Sequence, residues 1–229
     1  MKKLLSCMVT IAIIATIALI PAEGYSQPTW RLYDNFNSGV IDPDRWIVSE
    51  SSGTISIENG MAKFEHVAGP PGASNLLIFN KKPGYLKKIK GIRAKVMVES
   101  CTGDVRGQIS GIIGKVGDDY VMDFMAVQAG LNQISNGLNV LQPATLDYLY
   151  DLFWGDFGYL GDILGNTYTI TMIFSRKVMT YKVAGLGTII FKLPQKLDPS
   201  DLFNRAISTR SNNGEGPCVV YFDDVYILK

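Results

Sequence analysis

The chain has 229 residues, with 22 basic and 21 acidic side chains and a formal net charge of +1. That balance gives no electrostatic reason to expect nucleic acid or an anionic membrane as partner. With 47% apolar residues and 23 glycines, the length suits one domain with a sizeable core and many turns.

Residues 1–26 read as a leader and residues 27–229 as one domain. Lys2 and Lys3 precede an apolar run from Leu4 to Ile20. Pro21 breaks the run, and small residues follow in Ala22-Glu23-Gly24 and Gly24-Tyr25-Ser26. This is the pattern of a cleaved secretory signal peptide. The run falls just short of the ~20 apolar residues of a spanning helix, so a retained anchor is the weaker reading. The expectation is a secreted or periplasmic protein with no membrane contact after cleavage.

Runs of strand length then follow at near-regular spacing. They are Trp46–Ser49, Thr54–Ile57, Met61–Val67, Leu76–Asn80, Gly91–Glu99, Gln108–Val116, Tyr120–Ala129, Gly137–Leu141, Tyr168–Phe174, Val178–Val183, Thr188–Lys192, Phe203–Thr209 and Val219–Leu228. Those at Thr169–Phe174, Val178–Val183 and Cys218–Leu228 are rich in β-branched and aromatic residues and bounded by turn chemistry. The lysines around Pro83-Gly84 read as a solvated turn. Only Leu146–Trp154 has helical spacing, with Leu146, Leu149, Tyr150 and Phe153 at i, i+3, i+4 and i+7. Many short strands and almost no helix predict an all-β, two-sheet antiparallel sandwich.

Both ends of the chain carry a family resemblance. Tyr33-Asp34-Asn35-Phe36 and the later Trp46 open it. The turn after Phe174, the strand ending at Ala184-Gly185 and the closing Phe222-Asp223-Asp224-Val225 end it. This layout resembles concanavalin A-like lectin and glucanase domains, whose fold is a jelly roll and whose members bind or cut glycans. The resemblance implies a poly- or oligosaccharide as partner.

Retaining relatives of the laminarinase type carry Glu-x-Asp-x-x-Glu on one strand, which places acids in the cleft for nucleophilic and acid/base roles. This chain has no such run. The nearest position is Tyr120-Val121-Met122-Asp123-Phe124-Met125, which offers one acid. Asp118 and Asp119 read first as a turn. The reading therefore leans away from catalysis and assigns no catalytic residue. His66, the one histidine, reads as an exposed or hydrogen-bonded loop residue, since a lone His cannot build a multi-His zinc site.

The best binding segment is Phe153 to Asp162, where aromatics alternate with glycines and acids. Trp154, Phe157 and Tyr159 can stack on the C–H faces of sugars, and Asp156 can accept hydroxyl hydrogen bonds. The competing reading is aromatics that fill the core beneath a loop.

Asp34, Asp223 and Asp224 form a second set. By parity Asp223 goes with Val225 and Ile227, toward the interior, where an unpaired carboxylate is costly. Modules of this resemblance often hold a structural calcium ion between the first and last strands, and no other cofactor is implied. The alternative is a β-bulge that places both aspartates at the surface.

Cys101 and Cys218 remain after the leader, an even number in an exported chain. The resemblance pairs the closing strand antiparallel with residues 91–100. Joining Cys101 to Cys218 then sets Arg93 opposite Tyr226, with both cysteines on outward faces by parity. The leading function is a secreted, non-catalytic glycan-binding sandwich. A divergent glycoside hydrolase of the laminarinase type and a structural envelope or surface protein are the alternatives.

Overall fold

The computed structural model describes residues 29–116, 119–129, 137–145, 154–159, 163–193, 196–198, 204–211 and 213–229. The leader at 1–26 and the helically spaced stretch 146–153 lie outside them. No helix among the described residues is long and apolar enough to cross a membrane.

Fifteen strands and one helical turn are described. In chain order they are β1 (Trp30–Asp34), β2 (Trp46–Glu50), β3 (Gly53–Glu58), β4 (Met61–His66), β5 (Ser74–Phe79), α1 (Pro83–Leu86), β6 (Gly91–Cys101), β7 (Val105–Val116) and β8 (Asp119–Ala129). There follow β9 (Gly137–Thr145), β10 (Trp154–Tyr159), β11 (Thr167–Phe174), β12 (Val178–Val183), β13 (Gly187–Lys192), β14 (Ala206–Arg210) and β15 (Cys218–Leu228). All pairings are antiparallel. One sheet runs β13-β12-β11-β6-β15-β4-β3, with β1 also on β15, and the other runs β10-β9-β8-β7-β14-β5-β2. The two-sheet sandwich expected from the sequence is what forms.

Alternation explains how each strand chooses its faces. On β6, Ile92, Ala94, Val96 and Val98 are fully buried, while Arg93, Lys95 and Met97 are half-buried on the other face. Opposite them, Leu77, Ile109 and Ile207 close the core from the second sheet. Phe64 and Phe222 meet edge to face at 5.1 Å. Each such side chain contributes roughly 1.5–3 kcal/mol by leaving water. A second aromatic cluster seals the end near the first strand. There Tyr33 stacks on Phe79 at 4.3 Å, and both pack edge-on to Trp46.

The closing strand departs from simple alternation twice. Between Asp223 and Tyr226 it advances three residues while β6 advances two, from Lys95 to Arg93. Asp224 takes a left-handed φ of 48° there, as a bulge residue does. Between Val219 and Val220 the surplus residue is on β6, which moves from Ser100 to Val98. The two bulges offset one another. Cys218 therefore pairs with Cys101 and Tyr226 with Arg93, as the resemblance implies.

The bulges also correct two parity readings. Cys218, Val220 and Phe222 are buried, and Cys101 packs against the core, so the cysteines face inward and not outward. Asp223 lies opposite Lys95 on the outward face, not with Val225 and Ile227. The disulfide joins Cys101 to Cys218.

Candidate functional site

β7 sits between β8 and β14, near the middle of the seven-stranded sheet. A Cβ added to Gly107 would lie 2.7 Å from the Val220 side chain and 2.8 Å from that of Val96. Glycine is needed here because the two sheets approach so closely. Position 107 thus faces the core, and Arg106, Gln108 and Ser110 face away from it. On β14, Ile207 belongs to the core and Thr209 Oγ1 meets the buried His66 Nδ1 at 3.2 Å. Ala206, Ser208 and Arg210 therefore share the outward face with the β7 residues.

Register links these positions into rows that cross the whole sheet. One runs Ser49, Leu76, Ser208, Gln108, Ala126, Asn139, Asp156. The next runs Ile47, Ile78, Ala206, Ser110, Phe124, Leu141, Trp154. The third runs Ser74, Arg210, Arg106, Gln128, Gly137, Tyr159. Trp154, Asp156 and Tyr159 thus head the three rows that carry Ser110, Gln108 and Arg106. The segment read as a glycine-spaced loop is instead the edge strand β10. Phe157 falls within its register irregularity between Asp156 and Tyr159. At about 4.8 Å per strand, β10 stands about 14 Å from β7 along a row.

The centre of the middle row has unusual chemistry. Gln108 is 6% exposed and Ser208 is 1% exposed. Gln108 Oε1 and Ser208 Oγ have no hydrogen-bond partner among the described residues, and neither does Arg210 Nε. A buried polar atom left unpaired costs about 1–3 kcal/mol, and native folds keep few of them. Sequence reading missed Gln108 and Ser208. Their signal was the polar alternation of Arg106, Gln108 and Ser110 against Gly107 and Ile109, which marks an outward face without saying which sheet offers a site.

No acid stands at an outward position of β2, β5, β7 or β14 in these rows. Asp123 is the register partner of Gly111. Gly111 belongs to the inward row, for a Cβ there would lie 2.8 Å from the guanidinium of Arg205.

The three aspartates read as calcium ligands are engaged elsewhere. Asp34 accepts the Trp46 indole N–H at 2.7 Å and the Phe36 amide at 3.0 Å, with Arg45 at 3.5 Å. Lys95 Nζ lies 2.5 Å from Asp224 and 3.6 Å from Asp223. The Asp224 carboxylate raises the Lys95 pKa, while partial burial raises that of Asp223. Among the described residues no cluster of three or more acidic, His or Cys side chains is arranged to hold a metal ion. The bulge reading accounts for the outward pair, which shares the Lys95 ammonium group. His66 is hydrogen-bonded, to Thr209, but is neither exposed nor in a loop. It is fully buried on β4, and burial lowers its pKa.

No family model matches the chain, and no curated protein is similar to it in sequence. Solved structures do match. A laminarinase from Flavobacterium sp. UMI-01 superposes with a TM-score of 0.60 at 12% identity, over 88% of this chain and 99% of that one. A β-glucanase from Bacillus licheniformis gives 0.53 at 10% identity, over 90% and 99%. This is the concanavalin A-like jelly roll. A GlcNAcα1-4Gal-releasing endo-β-galactosidase from Clostridium perfringens shares it, with a TM-score of 0.62 at 10% identity. That match covers 89% of this chain but 62% of the galactosidase. At such identities the likeness concerns the jelly roll itself, and activity has to be argued from side chains.

Proposed function

We propose that this chain acts on a polysaccharide laid along the outward face of its seven-stranded sheet. The observation that carries the reading is the buried Gln108–Ser208 pair, whose Gln108 Oε1 and Ser208 Oγ lack partners among the described residues. Sugar hydroxyls both donate and accept, so they match a side-chain carbonyl beside a hydroxyl. Trp154 and Tyr159, at the ends of the flanking rows, are the residues we assign to stacking on sugar rings. Asp156, at the end of the Gln108 row, is assigned as a polar contact.

Two versions of this function differ in chemistry. The laminarinase, β-glucanase and endo-β-galactosidase among the neighbours favour a glycoside hydrolase of the laminarinase type over a non-catalytic lectin. Retaining hydrolysis needs two carboxyl groups about 5–5.5 Å apart, and inversion about 6.5–9.5 Å. The outward positions of β2, β5, β7 and β14 provide none. Among the described residues, the acid in line with the Gln108 row is Asp156. The leader pattern supports export, and so does the disulfide, since such bonds persist in oxidising compartments.

The deciding experiment incubates the purified protein with soluble glucans, mannans and galactans, following binding by calorimetry and cleavage by reducing-sugar release. Binding with sugar release that is lost in Asp156→Asn, or on changing another acid of the outward face, establishes the hydrolase. Binding without release establishes the lectin. Absence of both across neutral and acidic glycans contradicts the proposal and leaves a structural role.

A further inference from the structure

The third row holds a feature that a neutral polysaccharide does not explain. Arg106 and Arg210 are direct partners in the β7–β14 register, side by side on the outward face. Like charges directly opposite one another destabilise a sheet. Burial adds to the cost, since Arg106 is 8% exposed and the Nε of Arg210 is buried without a partner among the described residues. Arg106 also has an interaction within the fold. Arg210 reaches over the turn at Gly72, where an added Cβ would lie 3.6 Å from its terminal nitrogen. The register partners along this row, from Ser74 to Tyr159, include no acid. The nearby Glu215 uses one carboxylate oxygen to accept the Asp104 amide at 2.5 Å.

Resting on the polysaccharide reading, we propose that the glycan is acidic and that Arg106 and Arg210 grip its carboxylate or sulfate-ester groups beside the Gln108–Ser208 pair. The planar guanidinium fork matches either oxyanion with two parallel hydrogen bonds, which a hydroxyl cannot offer. The net charge of +1 means that this preference is local and not a general attraction to anions. Gln108 and Ser208, one row away, would take the hydroxyls of the same sugar.

Calorimetry on the whole protein tests this with three groups of glycan. Alginate and polygalacturonate carry carboxylates, carrageenan carries sulfate esters, and laminarin and dextran are neutral. The expected result is at least ~10-fold tighter binding to a carboxylated or a sulfated glycan than to the neutral ones, weakening with added salt. Arg210→Gln should weaken binding to the acidic glycans about tenfold more than binding to the neutral ones. Arg106→Gln should do the same, and Arg210→Gln carries the test if the more buried Arg106 variant fails to fold, as judged by its melting curve. Preference for carboxylate or for sulfate identifies the anionic group, and either supports the proposal. Equal or tighter binding to neutral glycans overturns it while leaving the polysaccharide reading intact. A preference for acidic glycans that survives in both variants also overturns it, because the charge would then lie elsewhere, as on the lysines around α1. No binding to any glycan removes both readings.

Discussion

Cys101 and Cys218 stand directly opposite one another on β6 and β15, and their disulfide closes a sequence separation of 117 residues. The bridge ties the closing strand to the middle of its sheet. In the chain-entropy view a loop of this length is worth up to ~4–5 kcal/mol. Replacing both cysteines with serine should lower unfolding stability by about 2–5 kcal/mol, read from urea melts. Unchanged stability in the double variant would show that the bridge constrains little.

Asp34 anchors the aromatic end of the sandwich through the Trp46 indole and the Phe36 amide. Asp34→Ala leaves a buried indole N–H unpaired. A loss of about 1.5–3 kcal/mol is expected, with no change in disulfide content. A calcium titration offers the complementary check. The melting temperature of the parent protein should not respond to calcium or to chelator, because Asp34, Asp223 and Asp224 are already paired within the fold.

His66 should make stability depend on pH in one direction. Burial holds its folded pKa below the unfolded value of about 6.5. Above that value the ring is neutral in both states. As pH falls below it, the unfolded chain takes up a proton before the folded one does, and stability is lost at up to ~1.4 kcal/mol per pH unit. His66→Gln removes this component, so the stability gap between parent and variant should shrink between pH 7 and pH 5. Parallel curves would mean that His66 is not buried as a neutral ring.

Much of this was legible in the chain because alternation is a local signal. The core face of β6 follows from Ile92, Ala94, Val96 and Val98 without any tertiary information. Parity fails where a bulge inserts one residue. Counting back from Ile227 places Asp223 inside, and the left-handed Asp224 reverses that. The cysteine pairing was still read correctly because a second, opposite bulge at Glu99–Ser100 restores the register. β10 was hidden by Gly155 and Gly158, which resemble loop chemistry although the segment pairs with β9. The Gln108–Ser208 and Arg106–Arg210 pairs could not be read from sequence, because about 100 residues separate partners that only the sheet order brings together.

On the proposed function, the outward face of the seven-stranded sheet holds a polysaccharide. The most direct test is amide chemical-shift mapping of the labelled protein with whichever glycan of the neutral and acidic panels binds. Shifts are expected to concentrate at Arg106 to Ser110, Ser208 to Arg210 and Trp154 to Tyr159, fading toward β12 and β13 on the other sheet. Shifts confined to the eight-stranded sheet, or no shifts with any glycan, would contradict it.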